Sequence, residues 1–204
     1  MNRLISGDER LEDYDILAVP GGFSFGDHLG SGRLLGNRMR FAMRDALQSF
    51  VDTGKPIIGI CNGFQALTET GMLPGVLTRN AGLKFACRNV GLQVCETRVS
   101  PFTSGLDINK RLIIPIAHNE GNYFASDDDL QRLKDNGQIA FSYTESDITG
   151  PANPNGAARD IAGILSANGR VMGMMPHPER AISSALGSAD GATMLTAALE
   201  ALAA

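Results

Sequence analysis

The sequence predicts an α/β fold, a single domain with a mostly parallel sheet flanked by helices and extended by added antiparallel strands. Three observations carry this. Short apolar runs alternate with longer amphipathic ones in the first half, as strand-helix units do. The second half is richer in strand-like runs. Glycine, 24 of the 204 residues, falls largely in short clusters between apolar runs, where turns belong.

The elements follow in order. Asp15 to Val19 is a short β-type run stopped by Pro20-Gly21-Gly22. Leu35, Met39, Ala42, Ala46 and Phe50 recur at helical spacing, and Gly54 sits where a left-handed residue would close that helix. Ile57-Ile58-Gly59-Ile60 has no polar face, as a central parallel strand requires. A helix should start just after Cys61 and run to about Gly71. Val90 to Arg98, Arg111 to Ala117 and Gln138 to Thr144 read as strands. Asp127 to Asn136 reads as a helix, its three leading aspartates suiting the positive end of a helix dipole. Ile161 to Leu165 and Arg170 to Met175 form a strand pair around the turn Ser166-Ala167-Asn168-Gly169. Met194, Leu195, Ala198, Leu199 and Leu202 form the stripe of a C-terminal helix. No repeat or biased linker divides the chain, so one domain over residues 1–204 is expected.

Composition narrows the function. A hydrophobic content of 43% beside 20% charged residues excludes a disordered protein. A net charge of -4 argues against nucleic acid or an anionic membrane as the main partner. No apolar run is long enough to span a bilayer, and the polar start does not resemble a signal peptide. Three cysteines make no disulfide framework, so the expected compartment is a reducing cytoplasm.

The most informative stretch is Gly59-Ile60-Cys61-Asn62-Gly63, a G-x-C-x-G pattern where a buried strand meets a helix. A sharp turn there would hold the sulfur exposed, with glycines on both sides letting strand and helix pass closely. The helix N-terminus would favour the thiolate. Cys87 and Cys95 lie in or beside β-type runs and read as core cysteines.

Three histidines are the candidate bases. His177 lies in Met174-Met175-Pro176-His177-Pro178-Glu179-Arg180, directly after a strand. Glu179, two residues on, projects to the same side in an extended segment and could orient the imidazole. His118, in Ala117-His118-Asn119-Glu120-Gly121-Asn122, suits ligand positioning better than proton transfer, and His28 reads as a surface residue. A cysteine with a His–Glu pair performs acyl transfer through a thioester. The amides of Asn62 and of the Pro20-Gly21-Gly22-Phe23 turn could receive the oxyanion, and Gln65 lies one helical turn beyond the sulfur. Spacing does not name the acyl donor.

These residues resemble the class I (triad) glutamine amidotransferases, and among them the glutaminase subunits of phosphoribosylformylglycinamidine synthases of purine biosynthesis. The similarity runs through Pro20 to Asp27, Gly59 to Gln65, Leu73-Pro74-Gly75, Arg79-Asn80, Leu83-Lys84-Phe85 and Ala117 to Asn122. It continues in Asn153-Pro154-Asn155-Gly156, Asp160 to Gly163 and Met174 to Arg180, so it covers essentially the whole chain. The resemblance implies a flavodoxin-like fold, with Cys61 as nucleophile on the side-chain amide of glutamine, His177 as proton shuttle and Glu179 as its orienter. It implies oxyanion amides from Gly22 and Asn62, and glutamine held by Gln65, Asn119 and Gly121. It further implies ammonia passed to a synthetase subunit that uses ATP and magnesium, a small bridging subunit, and no metal or cofactor in this chain.

The chain departs from that family in two places. A leading strand-helix unit of roughly 30 residues is absent before Asn2, which implies a sheet lacking an inner strand, with a gap and unpaired backbone groups beside the Asp15–Val19 strand, and a longer native product. The segment from His28 to Leu34 differs from the cysteine-containing one of close relatives, near the expected synthetase interface. Competing readings are a cysteine hydrolase on the same elbow, a glutaminase of another amidotransferase pathway, and a non-catalytic subunit.

Overall fold

The computed structural model describes residues 1–27, 29–146 and 148–203, with only the backbone of Asp27. Helix α1 (Asn2–Ser6) leads to strand β1 (Leu17–Val19), helices α2 (Arg33–Ala42) and α3 (Arg44–Asp52), strand β2 (Ile57–Ile60) and helix α4 (Asn62–Thr70). Strands β3 (Val76–Thr78), β4 (Ala86–Val94), β5 (Arg111–His118) and β6 (Asn122–Phe124) follow, then helix α5 (Asp127–Asp135). Strands β7 (Ile139–Thr144), β8 (Ile161–Leu165) and β9 (Val171–Met174) precede helix α6 (Asp190–Ala203).

Seven strands form one sheet in the order β1-β2-β9-β8-β7-β4-β5. The pairs β1–β2 and β2–β9 are parallel, and the other four are antiparallel. Strands β1, β2, β9, β7 and β5 therefore run one way, with β8 and β4 reversed between them. The apolar run of β2 is buried at all four positions, between β1 and β9 and beneath α4. Its lack of a polar face follows from being covered on both sides. Helix α2 packs on α4, and α6 packs on β5.

Most boundaries agree with the sequence, and the exceptions have local causes. The long helix of the sequence reading is two, because Met43 leaves the helical region at φ −134°, ψ 10°. The break rotates the buried stripe onto Met43, Leu47, Phe50 and Val51, leaving Ala42 and Ala46 exposed. Gly54 lies just past the Thr53 cap with φ +85°, as expected. Strand β4 starts earlier than Val90 and ends at Val94, because Ala86 to Gln93 pair with β5 in an unbroken register. The short antiparallel pair β3–β6 carries too little apolar pattern to be read from sequence. In α6 the stripe is buried at Met194 and Ala198, whereas Leu199 is exposed.

Strand β1 ends the sheet. Beside it lies an apolar groove of about 300 Å³ lined by Leu4, Leu17, Leu35, Met39 and Met43 among others. No helix of the described residues is long and apolar enough to cross a membrane.

Candidate active site

The site forms where β2 passes into α4. Cys61 sits between them at φ +52°, ψ −105°, a conformation that costs a non-glycine residue about 1–3 kcal/mol. Its N–H donates to the Met174 carbonyl of β9 at 2.8 Å, which holds the strained residue to the sheet. The flanking glycines are there for contact. A Cβ on Gly59 would lie 2.7 Å from the Gly63 carbonyl carbon, and one on Gly63 would overlap the Val19 carbonyl. The close crossing of β1, β2 and α4 therefore permits glycine alone at both positions.

Strand β9 delivers His177. Its N–H donates to the Pro115 carbonyl at 2.8 Å, tying the segment to β5, and Nδ1 lies 2.6 Å from Glu179 Oε1. An ionised carboxylate only accepts, so Nδ1 carries the ring proton and Nε2 keeps a lone pair. That Nε2 is buried with no hydrogen-bond partner among the described residues. The His–Glu contact does not arise from an extended segment: Pro178–Arg180 is a 3₁₀ turn that folds the carboxylate back onto the ring. Glu179 is 44% exposed at its side chain, whereas the imidazole is buried.

Nucleophile and imidazole meet over Gly21. A Cβ there would lie 2.7 Å from His177 Cε1 and 3.4 Å from Cys61 Cβ. Both residues line a cleft of about 310 Å³ with Gly22, Gln65, Asn119 and His118. Asn62 is buried at the start of α4. Its Oδ1 accepts from the Ser24 hydroxyl at 2.5 Å, fastening the Pro20–Phe23 turn to the helix that follows the nucleophile. The amides of Gly22 and Asn62 thus belong to two segments joined beside the sulfur.

Gln65 lines the cleft while bracing its wall. Its Nε2 donates to the Glu120 carbonyl at 2.5 Å, and Oε1 accepts from Asn62 Nδ2 at 3.1 Å. Gly121 has both backbone groups engaged, its N–H with Asn80 Oδ1 at 3.0 Å and its carbonyl with Asn155 Nδ2 at 2.7 Å. It shapes the loop, while Asn119 reaches the cleft.

Several participants escaped the sequence reading. Asn80 and Asn155 are almost wholly buried and hold the His118–Gly121 loop from behind. Their signal was present in the motifs Arg79-Asn80 and Asn153 to Gly156, which spacing could not connect to the loop. Cys87 is exposed and lines the cleft, which corrects its reading as a core cysteine. It pairs with Ala117 near the outer edge of the sheet, where no layer covers it. Cys95 is partly buried, and burial raises its thiol pKa. His28 lies outside the described residues.

Known proteins share this fold. The CobB/CobQ-like glutamine amidotransferase domain matches residues 1–193. A chain in the structure of PurLQS from Thermotoga maritima superposes with a TM-score of 0.80. It is 36% identical, over 96% of this chain and 83% of that one. The glutaminase domain of Trypanosoma brucei CTPS with bound acivicin superposes at 0.54 with 14% identity, over 91% of this chain and 71% of that one. At that identity the second likeness speaks for the fold alone. A strained cysteine at a strand-helix elbow beside a His–Glu pair, with a family match over nearly the whole length, leads to one conclusion: the chain belongs to the CobB/CobQ-like glutamine amidotransferases.

Proposed function

We propose that the chain, as one domain over residues 1–204, is the glutaminase subunit of a phosphoribosylformylglycinamidine synthase, with Cys61, His177 and Glu179 as its catalytic residues. The observation that carries the pathway is the 36% identity to a PurLQS chain over 96% of this sequence. The meeting of Cys61 and His177 over Gly21 supports the chemistry.

In this reading His177 Nε2 takes the Cys61 proton, and the sulfur attacks the side-chain carbonyl carbon of glutamine. The resulting oxyanion is received by the amides of Gly22 and Asn62. Such donors, fixed before the reaction, stabilise charge that develops only in the transition state. The tetrahedral intermediate collapses as His177 returns the proton to the departing nitrogen, releasing ammonia and leaving a thioester on Cys61. Water, deprotonated by His177, then cleaves the thioester to glutamate. Glu179 holds the imidazole in the tautomer this cycle needs. Gln65 and Asn119 form the wall that positions the substrate, and Gly121 shapes the loop that carries Asn119.

The ammonia serves a synthetase subunit of the same complex, which uses ATP and magnesium to convert formylglycinamide ribonucleotide to the amidine. A small third subunit bridges the two, and the complex works in the cytoplasm. The test is reconstitution with the synthetase and bridging subunits. Glutamine-dependent amidine formation should appear and be lost in Cys61→Ala, while ammonia-dependent formation persists. Glutamine-dependent product only with the synthetase of another amidotransferase pathway would replace the pathway assignment.

A further inference from the structure

His118 is a buried imidazole outside the proton-transfer machinery, and its surroundings fix its chemistry. Asn80 Nδ2 donates to the carbonyls of Lys84 at 2.8 Å and His118 at 3.0 Å. Both are acceptors, so the Asn80 amide has one possible orientation, with Oδ1 facing the Gly121 N–H at 3.0 Å and His118 Nδ1 at 3.1 Å. Nδ1 must therefore carry the ring proton, and Nε2 bears the lone pair. Burial, and then repulsion from His177 when that ring is protonated, push the pKa of His118 down to about 4. The ring is thus neutral at neutral pH and Nε2 is a standing acceptor.

That acceptor has no partner among the described residues, although the residue is only 3% exposed. A buried polar atom without a partner is costly and uncommon. The ring cannot swing to find one. Gly121 lies flat against it, so close that a Cβ there would fall 2.7 Å from Nε2, and Asn80 holds Nδ1. His118 lines the same cleft as Cys61, Gln65, Asn119 and Glu120.

We propose that His118 Nε2 accepts a hydrogen bond from the α-ammonium of the bound substrate and so selects glutamine over simple amides. The inference rests on the glutaminase reading above. Glutamine brings two nitrogen donors into the cleft. The amide end, with its nitrogen departing through His177 and its oxygen facing the oxyanion donors, is committed to the Cys61 end of the cleft. The α-ammonium remains, and a fixed neutral acceptor suits a cation because charge-assisted bonds are the stronger kind.

Protection of Cys61 from iodoacetamide, resolved by peptide mass spectrometry and read before the ligand is consumed, reports occupancy of the cleft by bound ligand or thioester. Two ligands are compared on the full chain: glutamine, and glutaramate, which is glutamine without its α-ammonium. In His118→Leu the glutamine concentration giving half-protection should rise about 10- to 100-fold, the range for one lost hydrogen bond to a charged group. Protection by glutaramate should change less than about threefold, as the two ligands share every other contact. His118→Gln, which restores an acceptor, should recover most of the preference for glutamine. It also carries the test should the leucine variant fail to melt cooperatively. Equal weakening of both ligands, or no weakening of glutamine, would overturn the assignment to the ammonium. So would a His118→Gln chain that no longer prefers glutamine. If neither ligand protects the wild-type cysteine, the glutaminase reading falls and takes this assignment with it.

Discussion

Replacing Gly21 by alanine probes the closest approach in the site. Gly21 is not in a left-handed conformation, so alanine meets no backbone penalty there. The added methyl would lie 2.7 Å from His177 Cε1 and 3.4 Å from Cys61 Cβ. The ring must then withdraw by about 0.7 Å to regain ordinary contact. It has little freedom to do so, being held at Nδ1 by Glu179 at 2.6 Å and at its own N–H by Pro115. A misplacement on the order of 1 Å in such a relay costs about 100-fold in rate, so Gly21→Ala should lower kcat for glutamine hydrolysis by about 30- to 100-fold. Stability should fall by only about 1 kcal/mol, since the turn borders the cleft rather than the core. Gly82→Ala is the control, because a Cβ there meets nothing within 4 Å. Glutamate release and thermal melting, measured on both variants, decide the matter. A Gly21→Ala enzyme within about threefold of wild type would refute the placement of the imidazole over this glycine.

His177→Ala should reduce turnover by about 10³-fold or more, and Glu179→Gln by about tenfold less, because orientation contributes less than proton transfer and the carboxylate is partly open to water. Steady-state kinetics giving the reverse order would exchange their roles. The depressed pKa of His118 predicts a pH effect on stability, in a window between about 4 and the ordinary 6.5. There the unfolded chain binds a proton that the folded chain refuses, so stability rises with pH and is lost as pH falls through the window. The stability of the wild type relative to His118→Gln should drop by about 1–3 kcal/mol between pH ~7.5 and ~4.5 in urea unfolding. Equal pH slopes for the two proteins would contradict it.

The part of the site that lies along one stretch of chain was legible in the sequence. Gly59-Ile60-Cys61-Asn62-Gly63 announces the elbow because both glycines answer a contact made within that same turn or with the adjacent strand. His177 and Glu179 were legible as a pair for a reason that proved incomplete: the contact depends on the turn at Pro178, not on strand alternation. What stayed hidden was assembled across long separations. Asn80 and Asn155 meet the His118–Gly121 loop only after β4, β5 and β7 have paired, and no periodicity joins them. Cys87 was misread because an apolar strand pattern says which residues alternate, not which face a layer covers. The break at Met43 was invisible for a similar reason, since apolar side chains continue at helical spacing through it.

The central claim is that Cys61 is the nucleophile of an assembled glutamine pocket, and peptide mass spectrometry after exposure to an electrophilic glutamine analogue tests it most directly. The cleft offers two thiols, Cys61 at the elbow and the exposed Cys87, so exposure alone would favour the wrong one. The account predicts one adduct, on the peptide containing Cys61, suppressed by excess glutamine. Modification of Cys87 instead, or no glutamine-sensitive adduct on a chain that still melts cooperatively, would contradict it.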